Sequence, residues 1–341
     1  MSEKKSYMDL KAEVWDAGYC SGCGGCVAVC PADALYFIEE PGINHPTSSG
    51  YCKMETDCVE CGACYDTCPR THEQKSDTIG SHLRIVSAKS VQAIPHMQSG
   101  GAVTAILSAA MKTGLIDGVI TVSEDRWNHN PRSVLITSAG ELIEHAGSRY
   151  NWSVPVLRSL KTAIVGKKLK SLAVVGTPCV VQAARAMKDS SNDLLIPFGR
   201  SIRLIIGLFC TESFDYHTLM EEILKGKANI SAQQIAHMDV KGKLELTLTD
   251  GSKKSLTLEE VSKAVRKGCH TCADFSALDA DIAAGSVGTP AGYTTLIIRN
   301  EVGDSFVLSA EQAGALVIGD DVDCAPVEKL AKAKQLRITH S

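Results

Sequence analysis

Two cysteine runs of the same spacing constrain this chain more than any other feature. Cys20-x-x-Cys23-x-x-Cys26-x-x-x-Cys30-Pro31 recurs as Cys58-x-x-Cys61-x-x-Cys64-x-x-x-Cys68-Pro69. Three thiols in one tight loop cap three corners of an iron–sulfur cube. The fourth, placed before a proline, reaches across to the neighbouring cube. The expected partition is Cys20, Cys23, Cys26 and Cys68 on one 4Fe–4S cluster, and Cys58, Cys61, Cys64 and Cys30 on the other. A structural zinc site also uses Cys-x-x-Cys, but as two pairs making four ligands. Here each run supplies four cysteines, so the cluster reading satisfies the whole pattern. Gly22, Gly24, Gly25 and Gly62 let the backbone close around the sulfurs and aim N–H groups at them. Such clusters move single electrons, which places the chain on an electron-transfer path.

The duplicated run resembles bacterial-type ferredoxins. Residues 1–75 are therefore expected to form a small ferredoxin-like unit with two 4Fe–4S clusters. The polar stretch over residues 71–81 reads as a linker, and residues 41–50 read as a loop between the two motifs. Residues 82–341 are expected to form a larger α/β (α+β) domain. With 341 residues and 44% apolar content, the chain can bury a sizeable core. A net charge of −4 lends nucleic-acid binding no support. The longest apolar run, Leu204 to Cys210, is strand-sized, so direct membrane insertion is not expected. The N-terminus lacks a signal-peptide core. Fourteen cysteines without an export signal then point to reduced thiols in a cytoplasm. Work at a membrane would require docking through a partner.

The larger region alternates strand and helix patterns. Helices are expected over Gly101–Lys112, Pro155–Val165, Val181–Met187, Phe214–Leu224 and Leu258–Arg266. Strands are expected over Gly118–Val122, Ser133–Thr137, Leu172–Val175, Ile202–Phe209, Gly292–Ile298 and Ser305–Leu308. A hairpin should turn at Asp250-Gly251, and two short helices should close the chain.

Five cysteines lie beyond the duplicated run. Cys179 and Cys210 each follow a strand pattern, and Cys269 and Cys272 form a further Cys-x-x-Cys. Strand ends on the carboxyl side of an α/β sheet share one rim, where sites form. These four thiols could converge as ligands of a third 4Fe–4S cluster. Spacing alone leaves open that Cys179 and Cys210 are ordinary buried cysteines, and that Cys269 and Cys272 are a zinc half-site or a redox dithiol. Cys52 and Cys324 fit no pattern and read as bystanders.

One-electron clusters and two-electron hydride donors are usually joined by a flavin. No Gly-x-Gly-x-x-Gly lies between a strand and a helix, so a Rossmann site is not indicated. The run Gln98-Ser99-Gly100-Gly101-Ala102-Val103-Thr104 offers hydroxyls and free N–H groups at a helix start, where an anion is favoured. Taken alone, Ser-Gly-Gly before a helix is more often just an ordinary cap.

Several motifs in one order carry a more specific resemblance. They are Gln98-Ser99-Gly100-Gly101-Ala102-Val103-Thr104, Gly147-Ser148-Arg149-Tyr150, Gly176-Thr177-Pro178-Cys179 and Leu208-Phe209-Cys210-Thr211-Glu212-Ser213-Phe214. Cys269-His270-Thr271-Cys272-Ala273-Asp274-Phe275-Ser276 and Ala280-Asp281-Ile282 through Gly285-Ser286-Val287-Gly288 follow. In these the chain resembles the beta subunits of coenzyme F420 hydrogenases and dehydrogenases. The resemblance covers residues 82 to about 300, while Glu221–Glu260 shows no family motif. It implies FAD, a 4Fe–4S cluster on Cys179, Cys210, Cys269 and Cys272, and hydride exchange with the deazaflavin coenzyme F420. It also implies that Gln98, Ser99, Gly100, Gly101, Ala102, Thr104, Ser148, Arg149, Tyr150, Thr177, Pro178, Asp274 and Gly288 contact the FAD. No catalytic acid or base is needed, since hydride passes directly between the two cofactors. The fused ferredoxin-like unit resembles members that feed electrons into a membrane-bound complex; others feed hydrogenases, formate dehydrogenases or sulfite reductases. The implied acceptor is a protein component of such a complex, or ferredoxin. A flavin-free multi-cluster carrier is the alternative. The phosphodiester and glutamate tail of coenzyme F420 call for cations, with Lys167, Lys168, Lys170, Arg200 and Arg203 as candidates. A solvated basic surface is the plainer reading of each.

Overall fold

The computed structural model describes residues 4–38, 45–149, 154–240 and 242–338. Two short strands, β1 (Leu35–Tyr36) and β2 (Thr47–Ser48), pair antiparallel beside the two cysteine motifs. The main sheet is built from β3 (Arg84–Ser90), β4 (Gly118–Asp125), β5 (Asn130–Ile136), β6 (Leu172–Gly176) and β7 (Ile202–Leu208). A separate three-stranded sheet follows, made of β8 (Ile235–Val240), β9 (Lys243–Leu248) and β10 (Lys253–Thr257). The chain then returns to the main sheet with β11 (Ile282–Gly285), β12 (Thr294–Ile298) and β13 (Leu316–Gly319). The main sheet runs β13-β3-β12-β11-β7-β6-β4-β5. Its centre, β11, β7, β6 and β4, is parallel, and antiparallel strands flank it on both sides.

The central strands are mostly apolar because both faces are covered. On one face Ile120, Leu172, Val174 and Ile205 pack with Val181 and Ala184 of helix Pro178–Asp189. On the other, Val119, Ala173, Val175 and Leu204 pack with Ile106 of helix Ala102–Lys112 and Phe306 of helix Glu301–Gln312. Alternation along each strand decides which residue meets which layer. The three-stranded sheet has its own core with helix His217–Lys227, including Leu219, Ile223, Leu244 and Leu246. This insertion accounts for the stretch without family motifs.

The cysteine-rich unit packs Leu10, Val14, Trp15 and Leu35 around Cys26, Cys30 and Cys64. It is also joined to the main body. Cys23, Ala28, Val29 and Ala63 belong to the first face's core, and Leu157 N–H donates to the Cys23 carbonyl at 2.9 Å. Lys161 Nζ donates to the Cys30 carbonyl at 2.6 Å, and Asn192 Nδ2 to that of Cys61 at 2.7 Å. The polar 71–81 stretch is no free tether: Arg299 Nη1 donates to the carbonyls of Ile79 (2.7 Å) and Ser81 (3.1 Å).

Several local expectations need correction. Ser305–Leu308 lies inside helix Glu301–Gln312, because Asn300 caps it by accepting from Gly303 N–H and its apolar residues meet the sheet with helical spacing. The chain ends in β13 and a single helix, Ala325–Ile338, where two short helices were expected. Phe214 forms an isolated bridge to Val265, and the following helix starts at His217. Strands β3, β8, β11 and β13 carry too little alternation of their own to stand out.

Candidate functional site

Strands β6, β7 and β11 are parallel neighbours, so their carboxyl ends open on one rim. Cys179 follows β6, Cys210 follows β7 and Ser286 follows β11. Above this rim lies a cavity of about 320 Å³, within the range of small-molecule sites. Two helices begin at its wall. Gly101, with φ at +67°, turns the chain into helix Ala102–Lys112, and no side chain caps that helix start. Helix Pro178–Asp189 starts at Thr177, likewise without a side-chain cap. Uncapped N–H groups at both starts favour an anion.

Gln98, Ser99, Gly101, Ala102, Thr104, Ser148, Arg149 and Thr177 all line the cavity. Val103, Leu107 and Phe209 give it apolar walls. Four residues stand elsewhere. Gly100 is packed behind the wall, where a Cβ would meet the Ala88 carbonyl at 2.3 Å. Pro178 is buried as the first residue of its helix. Asp274 is fully buried off the cavity, accepting from Leu278 N–H at 3.0 Å and from Gln182 Nε2 at 3.3 Å. Gly288 sits in a left-handed turn, with its carbonyl accepting from Asp323 N–H. Tyr150 lies outside the described residues. Lys167, Lys168, Lys170, Arg200 and Arg203 do not line the cavity; its cations are Arg149 and Arg266.

Arg149 is 6% exposed. It donates through Nη1 to the Gly147 carbonyl and stands 3.8 Å from Glu124, while its buried Nε has no hydrogen-bond partner among the described residues. Burial pushes its guanidinium below the usual range, and Glu124 opposes this. An anion entering the cavity would relieve that desolvation.

The cysteines gather in three groups, and Cys23, Cys179 and Cys210 themselves line the cavity. Cys26 is electrostatically coupled to Cys23, Cys20 and Cys68, and also to Cys64. Cys64 is coupled to Cys61 and Cys30. Cys210 is coupled to Cys269, Cys179 and Cys272. The first group stands between the others, since Cys23 also feels Cys179. Two placements differ from expectation. Cys58 is exposed in a left-handed turn after helix Lys53–Asp57. Cys52, read as a bystander, neighbours both Cys61 and Cys64. Cys324 stands apart, beside Glu328 and Asp323.

Among the described residues no three His, Cys, Asp or Glu close around a single-ion position. The fit to larger clusters rests on the donor set. Burial raises the thiols of Cys23, Cys26, Cys64 and Cys210, and pushes Cys68 up to about 12. Backbone N–H groups point at sulfurs: Gly22 at Cys20, Gly25 at Cys23, Ala63 at Cys61 and Arg70 at Cys68. Ser213 N–H donates to Cys269 Sγ at 3.3 Å. Cys272 moves the opposite way. Burial favours its neutral form, but Lys334 and Arg70 hold the thiol below its usual range. The third group also touches the first: a Cβ on Gly268 would meet the Cys20 carbonyl at 2.3 Å. Lys334, Arg70 and Arg266 were not found from sequence. Their spacing from the cysteines in the chain holds no signal.

Residues 18–72 match a 4Fe–4S dicluster domain. Residues 85–161 and 169–323 match the N-terminal and C-terminal parts of the coenzyme F420 hydrogenase/dehydrogenase beta subunit. An uncharacterized protein of Methanocaldococcus jannaschii is 43% identical over 98% of both chains. A component of the F420H2 dehydrogenase of Methanosarcina mazei is 31% identical over 86% of this chain and 83% of its own. A chain from the F420-reducing NiFe hydrogenase complex of Methanosarcina barkeri superposes with a TM-score of 0.73 at 29% identity, covering 79% of this chain and 94% of that one. The chain belongs to the coenzyme F420 hydrogenase/dehydrogenase beta subunit family, with a 4Fe–4S dicluster domain at its N-terminal end.

Proposed function

We propose that this chain is the coenzyme F420-reactive component of an oxidoreductase. It would bind FAD in the cavity, take a hydride from reduced coenzyme F420, and pass electrons singly through three 4Fe–4S clusters to a protein acceptor. The observation that carries this reading is one cavity wall holding two uncapped helix starts, Arg149, and the thiols Cys23, Cys179 and Cys210. A flavin bound there supplies a two-electron acceptor that can release electrons one at a time.

The residues divide the work. The starts of helices Ala102–Lys112 and Pro178–Asp189, with Arg149, hold the phosphates. Val103, Leu107 and Phe209 exclude water from the ring. Cys179, Cys210, Cys269 and Cys272 would hold a cluster at the rim, and the first and second groups would hold two more, together supplying one-electron chemistry. Residues 1–75 act as the relay and 82–341 as the cofactor domain. The acceptor is a protein of a membrane-bound complex, or ferredoxin. Among the described residues no helix is long and apolar enough to cross a membrane, so contact with one would run through that partner.

The test is anaerobic purification and reconstitution of the full chain, followed by its spectrum and turnover of reduced coenzyme F420 with an artificial acceptor. Flavin absorbance and acceptor reduction are expected. Iron and sulfide without flavin, and no turnover, would favour the flavin-free carrier.

A further inference from the structure

Three cations from distant parts of the chain meet around the third cysteine group. Lys334, on helix Ala325–Ile338, is 3% exposed. Its Nζ donates to the carbonyls of Cys210 at 2.7 Å and Asp274 at 2.6 Å, both neutral acceptors. Arg70, just after the second cysteine run, donates through Nη2 to the Gly268 carbonyl at 3.1 Å, and its charge acts on Cys272. Arg266, also 3% exposed, lies over Gly22, where an added Cβ would meet its guanidinium at 2.5 Å. Its charge acts on both Cys20 and Cys269. The nearby carboxylate, Asp274, accepts from Leu278 N–H and Gln182, and its charge also acts on Lys334.

Burying an ammonium costs several kcal/mol unless an anion is near. Two carbonyls satisfy the hydrogen bonds of Lys334 but not its charge. Cys272 and Cys210 lie beside it, and as cluster-ligating thiolates they would supply that anion.

We infer that Lys334, with Arg70 and Arg266, is a built-in counter-charge for the Cys179, Cys210, Cys269 and Cys272 group, and raises the reduction potential of a cluster held there. The inference rests on the proposed third cluster. An electron arriving there adds one negative charge beside Lys334, so the cation stabilises the reduced form more than the oxidised one. The group next to the cavity thereby becomes a stronger acceptor for an electron. Lys334 is a positioning charge and takes no part in the chemistry.

Potentiometric EPR titration of the anaerobically reconstituted full chain tests this. In Lys334→Gln, one couple is expected to shift at least tenfold towards the oxidised form, about 59 mV for a one-electron couple. The other two should stay, and Lys334→Arg should restore it. Arg70→Gln should lower the same couple and, because its charge also acts on Cys68, that of the cluster there. If all irons are retained and no couple moves in either Gln variant, the counter-charge is refuted while the third cluster stands. If the unsubstituted chain holds only about eight irons, the third cluster itself is refuted, and this inference with it. If Lys334→Gln loses four irons, Arg70→Gln decides: a lowered third-cluster couple supports the inference and an unmoved one overturns it.

Discussion

Arg149→Met is the perturbation that most directly asks whether the cavity holds a dinucleotide. Arg149 is only 6% exposed, its Nη1 is engaged by Gly147, and its buried Nε has no hydrogen-bond partner among the described residues. Glu124 is close but stands 3.8 Å away, too far for a hydrogen bond. The guanidinium is thus desolvated and only partly compensated, which suits it to a phosphate. A hydrogen bond to a charged group contributes about 1.5–3 kcal/mol. At about 1.4 kcal/mol per decade, its removal should weaken FAD about ten- to a hundredfold. The apo chain should lose little stability, because methionine fills the space without an unpaired polar atom. The assay is titration of deflavinated protein with FAD, followed by flavin fluorescence, with thermal unfolding of the apo chain as a control. An affinity within about twofold of the unsubstituted chain, with unchanged unfolding, would refute the assignment of Arg149 to phosphate.

Cys269→Ser should lower the iron content from about twelve to about eight per chain while leaving the signals of the N-terminal clusters in place; full iron retention would count against the third set of ligands. Gly268→Ala pushes a Cβ against the Cys20 carbonyl, so it should cost about 1–3 kcal/mol in chemical unfolding. Gly140→Ala, where an added Cβ meets nothing within 4 Å, should cost nothing measurable. His129 is raised above its usual range by the Glu124 carboxylate, against the effect of burial. Its contribution is therefore fully present below about pH 6.5 and is lost as pH rises through the raised folded value. His129→Gln should remove that fall in urea stability between weakly acid and weakly alkaline pH.

The duplicated cysteine run was readable because its ligands lie within a few residues of one another, so local spacing already states the geometry. The helix start at Gly101, the Cys179 turn and the buried strands β6 and β7 were legible for the same reason: caps, glycines and apolar runs act over short range. The helix Glu301–Gln312 was misread because Ser305–Leu308 looks strand-like until Asn300 and the sheet are both in view. Gly100, Asp274 and Gly288 were read as cofactor contacts, yet each is held by close backbone packing or by buried hydrogen bonds.

The chain alone settled which thiols could act and where helices offer free N–H groups. It could not settle which of these share one cavity, because that depends on the order β11-β7-β6-β4, formed by strands up to about 160 residues apart. Only the folded sheet brings Cys179, Cys210 and Cys269 towards Cys23, and only the packing of the last helix delivers Lys334 to their side. Charge and burial act through space, and distance along the chain does not record them.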